Sequence, residues 1–318
     1  MLLKDESRRF GLRSFKALGG AYAVRRLIAR QAGLPRDLVV TCASDGNHGR
    51  AVAWGAQRFG CRAVIYLHEN VSQAREAAIA AYGAKIVRTR GNYDDSVRQS
   101  AADAARNGWF VVSDTAWPGY EDVPRDVMQG YSVMVRETMA QIAAAERPTH
   151  ALVQGGVGGL AAAVLSHLWE SLGAARPFVI VVEPDRADCL YRSAKAGERV
   201  TVTGALDTIM AGLACGEPST LAWRILDRGA DAFLSIADDW AVEAMRRLAS
   251  PGGGDAAIVA GESGAAGIAG LLALHAQPEL ARRAGLGAAS RVLAFNTEGA
   301  TDPELYRRIV GRSWEEVA

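Results

Sequence analysis

A lysine stands at position 16 in Ser14-Phe-Lys16-Ala-Leu-Gly-Gly20, among mostly apolar neighbours at the start of a helical pattern. Solvated lysines normally keep polar company, and burial lowers the pKa of the amine. A neutral amine is the nucleophile that Schiff-base chemistry needs. The heptapeptide alone fits better with a lysine whose stem lies along a helix surface and whose head stays in water. A second group follows an apolar run, in Ser44-Asp45-Gly46-Asn47-His48-Gly49. Its glycines permit a tight turn, and Asn47 suits the cap of a helix over 47–59. His48 by itself reads as a packed or hydrogen-bonded residue. No second histidine stands at metal-ligand spacing, which excludes a zinc site.

A third group is Gly155-Gly156-Val157-Gly158-Gly159, between an apolar run and a helical stretch. Successive backbone amides in such a turn make a nest for a phosphate, aided by the dipole of the following helix. The pattern Gly156-x-Gly158-x-x-Ala161, with Glu183 ending the next strand, also fits a dinucleotide fingerprint. Taken alone, the turn suits a phosphate monoester and a dinucleotide equally.

These turns need strands and helices to hold them. Short apolar runs over 38–43, 62–67, 85–89, 109–113, 149–154, 178–183, 232–236 and 291–296 read as strands buried on both faces. Amphipathic stretches over 47–59, 72–82, 93–107, 120–146, 158–172 and 238–249 alternate with them. That alternation predicts an α/β architecture of parallel strands with right-handed crossovers. Residues 250–255, Ser-Pro-Gly-Gly-Gly-Asp, read as a flexible surface loop.

The 318 residues are enough for two modest domains. Lys+Arg minus Asp+Glu is 36 − 35, or +1, so neither nucleic acid nor a membrane surface is an expected partner. No apolar run is long enough for a membrane span, and the first residues hold no signal-peptide core. Cys42, Cys61, Cys189 and Cys215 lack paired spacing, and a reducing cytoplasm is the default expectation.

Taken in order, SFKALGGAYA, SDGNHGRAVAWGAQ and QGGVGGL resemble the fold type II pyridoxal-phosphate (PLP) enzymes. The segments SDTAWPGYEDVPRDVMQGY, VVEPDRADCLYRS, TIMAGLACGEPS, GESGAAG and NTEGATD narrow the resemblance to diaminopropionate ammonia-lyase, from about Glu6 to about Val310. The resemblance implies two open, twisted, mostly parallel sheets, each flanked by helices. A small domain would cover 15–118. A large one would cover 1–14 and 119–318, with a shortened amino-terminal part, since only fifteen residues precede Lys16.

It also implies roles. Lys16 would hold PLP, Asn47 would meet its phenolic oxygen, and Gly155, Gly156, Val157, Gly158 and Gly159 would bind its phosphate. Thr297 would face the pyridine nitrogen, and Glu262 would lie near the cofactor. Asp45 stands where dehydratases of this group carry an uncharged residue; a carboxylate there suits a substrate with an extra ammonium group. Asp114 matches a second acidic position, although a helix or turn cap is its simpler reading. Cys189 and Cys215 would lie near each other beside the active-site entrance, where a disulfide is possible although a cytoplasmic protein more often keeps both thiols reduced. The implied reaction is elimination of ammonia from 2,3-diaminopropionate by a cytoplasmic homodimer whose partner is a small amino acid. The alternatives are a serine or threonine dehydratase and a non-catalytic PLP-binding homologue.

Overall fold

The structure is a computed structural model that describes every residue except Asp45, Asn70, Asn92 and Ala318, and of Asp94 the backbone alone. In chain order its elements begin with β1 (Leu2–Asp5), α1 (Lys16–Arg30), β2 (Val39–Ala43), α2 (Asn47–Phe59), β3 (Arg62–His68) and α3 (Gln73–Ala80). Then come β4 (Lys85–Thr89), α4 (Tyr93–Asn107), β5 (Phe110–Val111), α5 (Asp122–Gln141), β6 (His150–Gln154) and α6 (Gly159–Leu172). They continue with β7 (Phe178–Pro184), α7 (Cys189–Ala196), α8 (Thr220–Gly229), β8 (Ala232–Ile236) and α9 (Asp238–Ala249). The last are α10 (Ala266–His275), α11 (Pro278–Arg283), β9 (Val292–Asn296) and α12 (Pro303–Val310).

The chain divides into two compact units, one of Arg9–Tyr131 and one of Met1–Arg8 with Ser132–Ala318. The first holds a four-stranded sheet in the order β4-β3-β2-β5, and the second a five-stranded sheet in the order β1-β9-β6-β7-β8. The strand pairs are parallel in both sheets. All eight expected strands are present. The sequence reading missed β1, a four-residue edge strand whose Leu2–Asp5 pair with Leu293–Asn296 of β9. Its Leu-Leu-Lys-Asp is too short and too polar to stand out. The helices α7, α8, α10, α11 and α12 were also missed.

Burial explains the apolar runs. Every residue of β6 and of β9 is buried, as expected for strands covered on both faces. In the larger unit Leu152, Ile180 and Val182 of the sheet share one core cluster with Met245 and Leu248 of α9 and Ile268 of α10.

In the smaller unit the glycines of the lysine motif let helices approach closely. A Cβ on Gly20 would sit 3.0 Å from the Cβ of Ala51 in α2. One on Gly19 would meet Tyr131 and the Val127 carbonyl of α5 at 2.4 and 2.7 Å. One on Gly55 would lie 2.8 Å from the Cα of Ala21. The sequence Lys-Ala-Leu-Gly-Gly thus both starts α1 and seats it against its neighbours.

Candidate active site

Each unit carries part of the predicted site, at the carboxyl ends of its strands, where α/β folds place ligands. In the smaller unit, Lys16 is the first residue of α1. Its amine lies 5.4 and 5.9 Å from the ring centroids of Phe15 and Tyr131, so the apolar company seen in the sequence is real. It donates to Asp114 Oδ2 at 2.5 Å. The two side chains are 20% and 13% exposed. Burial pushes the Asp114 carboxyl up, but the Lys16 cation, through its charge and its hydrogen bond, outweighs that and holds the group well below the usual carboxylate range.

Asp114 is set by a stiff loop after β5. Tyr120 Oη donates to the Val111 carbonyl at 2.8 Å and accepts from Ser113 N at 3.0 Å. The Tyr120 ring stacks on Trp117 with centroids 4.1 Å apart. The carboxylate does not cap a helix; it faces Lys16.

The turn after β2 is organised by Ser44, whose Oγ accepts from Gly46 N at 3.0 Å and Gly49 N at 2.8 Å. Gly46, not Asn47, occupies the cap position of α2, and Asn47 is the first helical residue. The expected capping role of Asn47 therefore fails. His48 is buried and its Nε2 donates to the Val112 carbonyl at 2.8 Å, so it is a packed, hydrogen-bonded residue as expected. Its Nδ1 faces Asp114 Oδ2 at 3.8 Å. Burial lowers its pKa against the pull of Asp114. The neutral ring keeps its proton on Nε2, because a carbonyl can only accept. Asp45 lies outside the described residues.

In the larger unit, Gly155–Gly159 turn from β6 into α6. Gly156 and Gly158 have φ of 65° and 95°, a region that strongly favours glycine. Gly158 is the N-cap of the fourteen-residue α6. The amides of a helix's first turn have no intrahelical acceptor, which makes this end of α6 suited to an anion. The Val157 carbonyl accepts from Ser219 N at 3.0 Å, which anchors the turn.

The dinucleotide reading is overturned here. Glu183 is fully buried, and its two oxygens accept from Leu190 N at 3.1 Å and Tyr191 N at 2.7 Å at the start of α7. A carboxylate so engaged cannot reach a ribose.

Thr297 follows β9 and is 4% exposed. Its Oγ1 accepts from Gln154 Nε2 at 3.3 Å, and Nε2 also donates to the Gly264 and Phe295 carbonyls at 2.8 and 2.7 Å. The accepted bond leaves the Thr297 hydroxyl proton for another acceptor. Gln154 Oε1 has no hydrogen-bond partner among the described residues. The sequence reading passed over Gln154, although it directly precedes the glycine turn. Glu262 is 1% exposed and precedes Ser263, whose Oγ accepts from Gly212 N at 2.9 Å. Cys189 and Cys215 are not bridged to each other. They do lie near each other: Cys215, after burial and Glu183, helps to raise the Cys189 pKa.

Residues 1–298 match the family model of the pyridoxal-phosphate dependent enzymes. Escherichia coli diaminopropionate ammonia-lyase is 43% identical over 333 residues, which span 99% of this chain and 83% of that protein. The chain belongs to the diaminopropionate ammonia-lyase family. The family assignment fixes the cofactor as PLP and the fold as type II. A solved structure of the Escherichia coli enzyme with an aminoacrylate-PLP azomethine reaction intermediate matches with a TM-score of 0.89 at 42% identity, over 99% of this chain and 82% of that one. The same enzyme in complex with D-serine also gives 0.89, at 41% identity, over 99% of this chain and 83% of that one. Among the described residues of this family member, no helix is long and apolar enough to cross a membrane.

The residues present fit the PLP of this family. A glycine turn at a helix start suits its phosphate, a hydroxyl with a spare proton suits its pyridine nitrogen, and a half-buried amine suits its aldehyde carbon.

Proposed function

We propose that this chain catalyses the α,β-elimination of 2,3-diaminopropionate, giving pyruvate and two molecules of ammonia with the uptake of one water. The observation that carries this reading is the partly buried pair of Lys16 and Asp114, an amine and a carboxylate held in contact within the motifs expected to hold them. The 43% identity to an enzyme named for the same substrate supports it.

Bound PLP supplies a sink for the electron pair left when the Cα proton departs. Lys16 would hold the cofactor, and its free amine would be a base for that proton. Asp114 accepts a proton from Lys16 or from Cα. Asp45, whose role rests on its place in the Ser44–Gly49 turn, attracts the substrate's second ammonium and offers a further base. Two bases on opposite faces of Cα would let both enantiomers react. Asn47 meets the phenolic oxygen, Gly155–Gly159 hold the phosphate, and Glu262 lies beside the cofactor. Thr297 donates its hydroxyl proton to the pyridine nitrogen. A neutral hydroxyl there makes a weaker sink than a carboxylate would, which favours prompt expulsion of a β leaving group over transamination. The β-amine leaves as ammonia, and water converts the released 2-aminoacrylate to pyruvate and the second ammonia.

The two compact units serve as the small and large domains of the fold. The same reading places the enzyme in the cytoplasm as a homodimer, and its four unbridged cysteines support a reducing compartment.

The test is pyruvate release from D- and L-2,3-diaminopropionate and from serine by wild type and Asp45→Ser. A charge-assisted hydrogen bond to the second ammonium is worth about 1.5–3 kcal/mol, roughly 10- to 150-fold in selectivity. The variant should lose that much more activity on diaminopropionate than on serine. Equal losses on all three substrates would return the advantage to the dehydratase alternative. Borohydride reduction followed by peptide mapping should label Lys16.

A further inference from the structure

Glu183 lies behind the glycine turn and is fully buried. A Cβ on Gly155 would sit 2.5 Å from Glu183 Cγ and 3.1 Å from its Cδ, so the carboxyl group packs directly on the turn's backbone. Cys189 Sγ links the two, donating toward the Gly156 carbonyl at 3.6 Å and Glu183 Oε1 at 3.7 Å. The other groups facing Glu183 are the amides of Leu190 and Tyr191, and Asp188, which is itself paired with Arg192 at 2.6 Å. Cys215 stands beyond Cys189. No cation lies within ion-pair distance of Glu183 among the described residues. Two backbone amides are thus its main support against a nearby negative charge.

We propose that Glu183 is a positioning residue of the phosphate turn which takes up a proton when a phosphate dianion binds there. The inference rests on the reading that Gly155–Gly159 hold the cofactor phosphate. A second negative charge brought to the far side of one glycine residue, in a buried setting, disfavours the ionised carboxyl. Burial already pushes Glu183 up to about 8 against the two amides. At that pH the group is half ionised before the dianion arrives.

The probe is pyridoxine 5′-phosphate, whose 4′-alcohol forms no imine with Lys16, added to the full chain stripped of cofactor. Calorimetry at pH 8 in two buffers of different ionisation enthalpy reads the protons exchanged. Phosphate esters are dianions at this pH, with a second pKa of about 6, and contribute none. Wild type should take up about half a proton, and Glu183→Gln should take up none. Affinity should weaken roughly five- to tenfold from pH 7 to pH 9 in wild type and stay level in the variant. Pyridoxine, which lacks the phosphate, should bind wild type without the uptake; this arm stands even if the variant does not fold. Equal uptake in wild type and variant, equal uptake with pyridoxine, or no uptake in wild type overturns the role of Glu183. Pyridoxine phosphate binding no more tightly than pyridoxine would instead refute the phosphate turn itself, and the proposal with it.

Discussion

The Lys16–Asp114 pair joins an amine to a carboxylate that burial alone would push toward neutrality. Its depressed Asp114 pKa carries a sign that can be tested. A carboxyl whose folded pKa lies below its unfolded value adds stability above the unfolded pKa of about 4, and loses it as the pH falls toward the folded value. Wild type should therefore exceed Lys16→Met in stability by on the order of 1.5–3 kcal/mol at pH 7, the range of a hydrogen bond between charged groups. The gap should close on acidification below pH 4. Urea unfolding at pH 7, 5 and 3 measures it, and a gap independent of pH would mean the amine's charge does not set Asp114. Carbon-detected NMR should also show Asp114 titrating higher in Lys16→Met.

Helix packing in the smaller unit depends on the absence of side chains. A Cβ on Gly130 of α5 would lie 2.1 Å from the Leu18 carbonyl oxygen and 2.7 Å from the Gly19 Cα. Gly130→Ala would gain about 1 kcal/mol in helix propensity. It would set a methyl group against backbone that cannot rotate away, and overpacking of that kind costs about 1–3 kcal/mol or more. The clash should win, and the melting temperature should fall. Gly252 meets nothing within 4 Å and has no left-handed φ, so Gly252→Ala should be neutral or raise stability by up to about 1 kcal/mol. Thermal melts of the two variants compare these outcomes directly. The loop around it, residues 250–255, lies at the surface as the sequence predicted, all of it exposed but the half-buried Pro251.

At the scale of the whole molecule, two units with separate sheets depend on ligand binding in a measurable way. PLP that binds the folded chain alone should stabilise it by RT ln(1 + [L]/Kd), about 2.7 kcal/mol at a hundredfold excess over Kd. Lys16→Met, which cannot form the covalent link, should need more PLP for the same rise in melting temperature. The proposed homodimer is checked by light scattering, which should return twice the chain's 33.7 kDa. A mass of one chain at micromolar concentration would remove the dimer from the reading.

Much of this was legible in the residues alone. The eight apolar runs all became strands, but only the inner ones such as β6 and β9 are buried along their whole length; the edge strand β4 exposes Lys85 and Arg88, and in the edge strand β8 only Ile236 is fully buried, so the expectation of two covered faces fails at the sheet edges. The three turns were recognisable because their glycines answer local demands, such as the positive φ at Gly156 and Gly158. The strand β1 and the helices α7, α8, α10, α11 and α12 were passed over: each spans ten residues or fewer, too short a window to stand out, and α10 is apolar nearly all round. The role of Glu183 was also open in the sequence, where the end of a strand looks the same whether it meets a ribose or a helix start. Tertiary structure decided it by bringing α7 over β7. It likewise decided that Asp114 meets Lys16, 98 positions away along the chain, at the end of another element. Local pattern determines what each segment becomes; which side chains then share one buried space depends on packing between segments, and no spacing in the sequence encodes that distance.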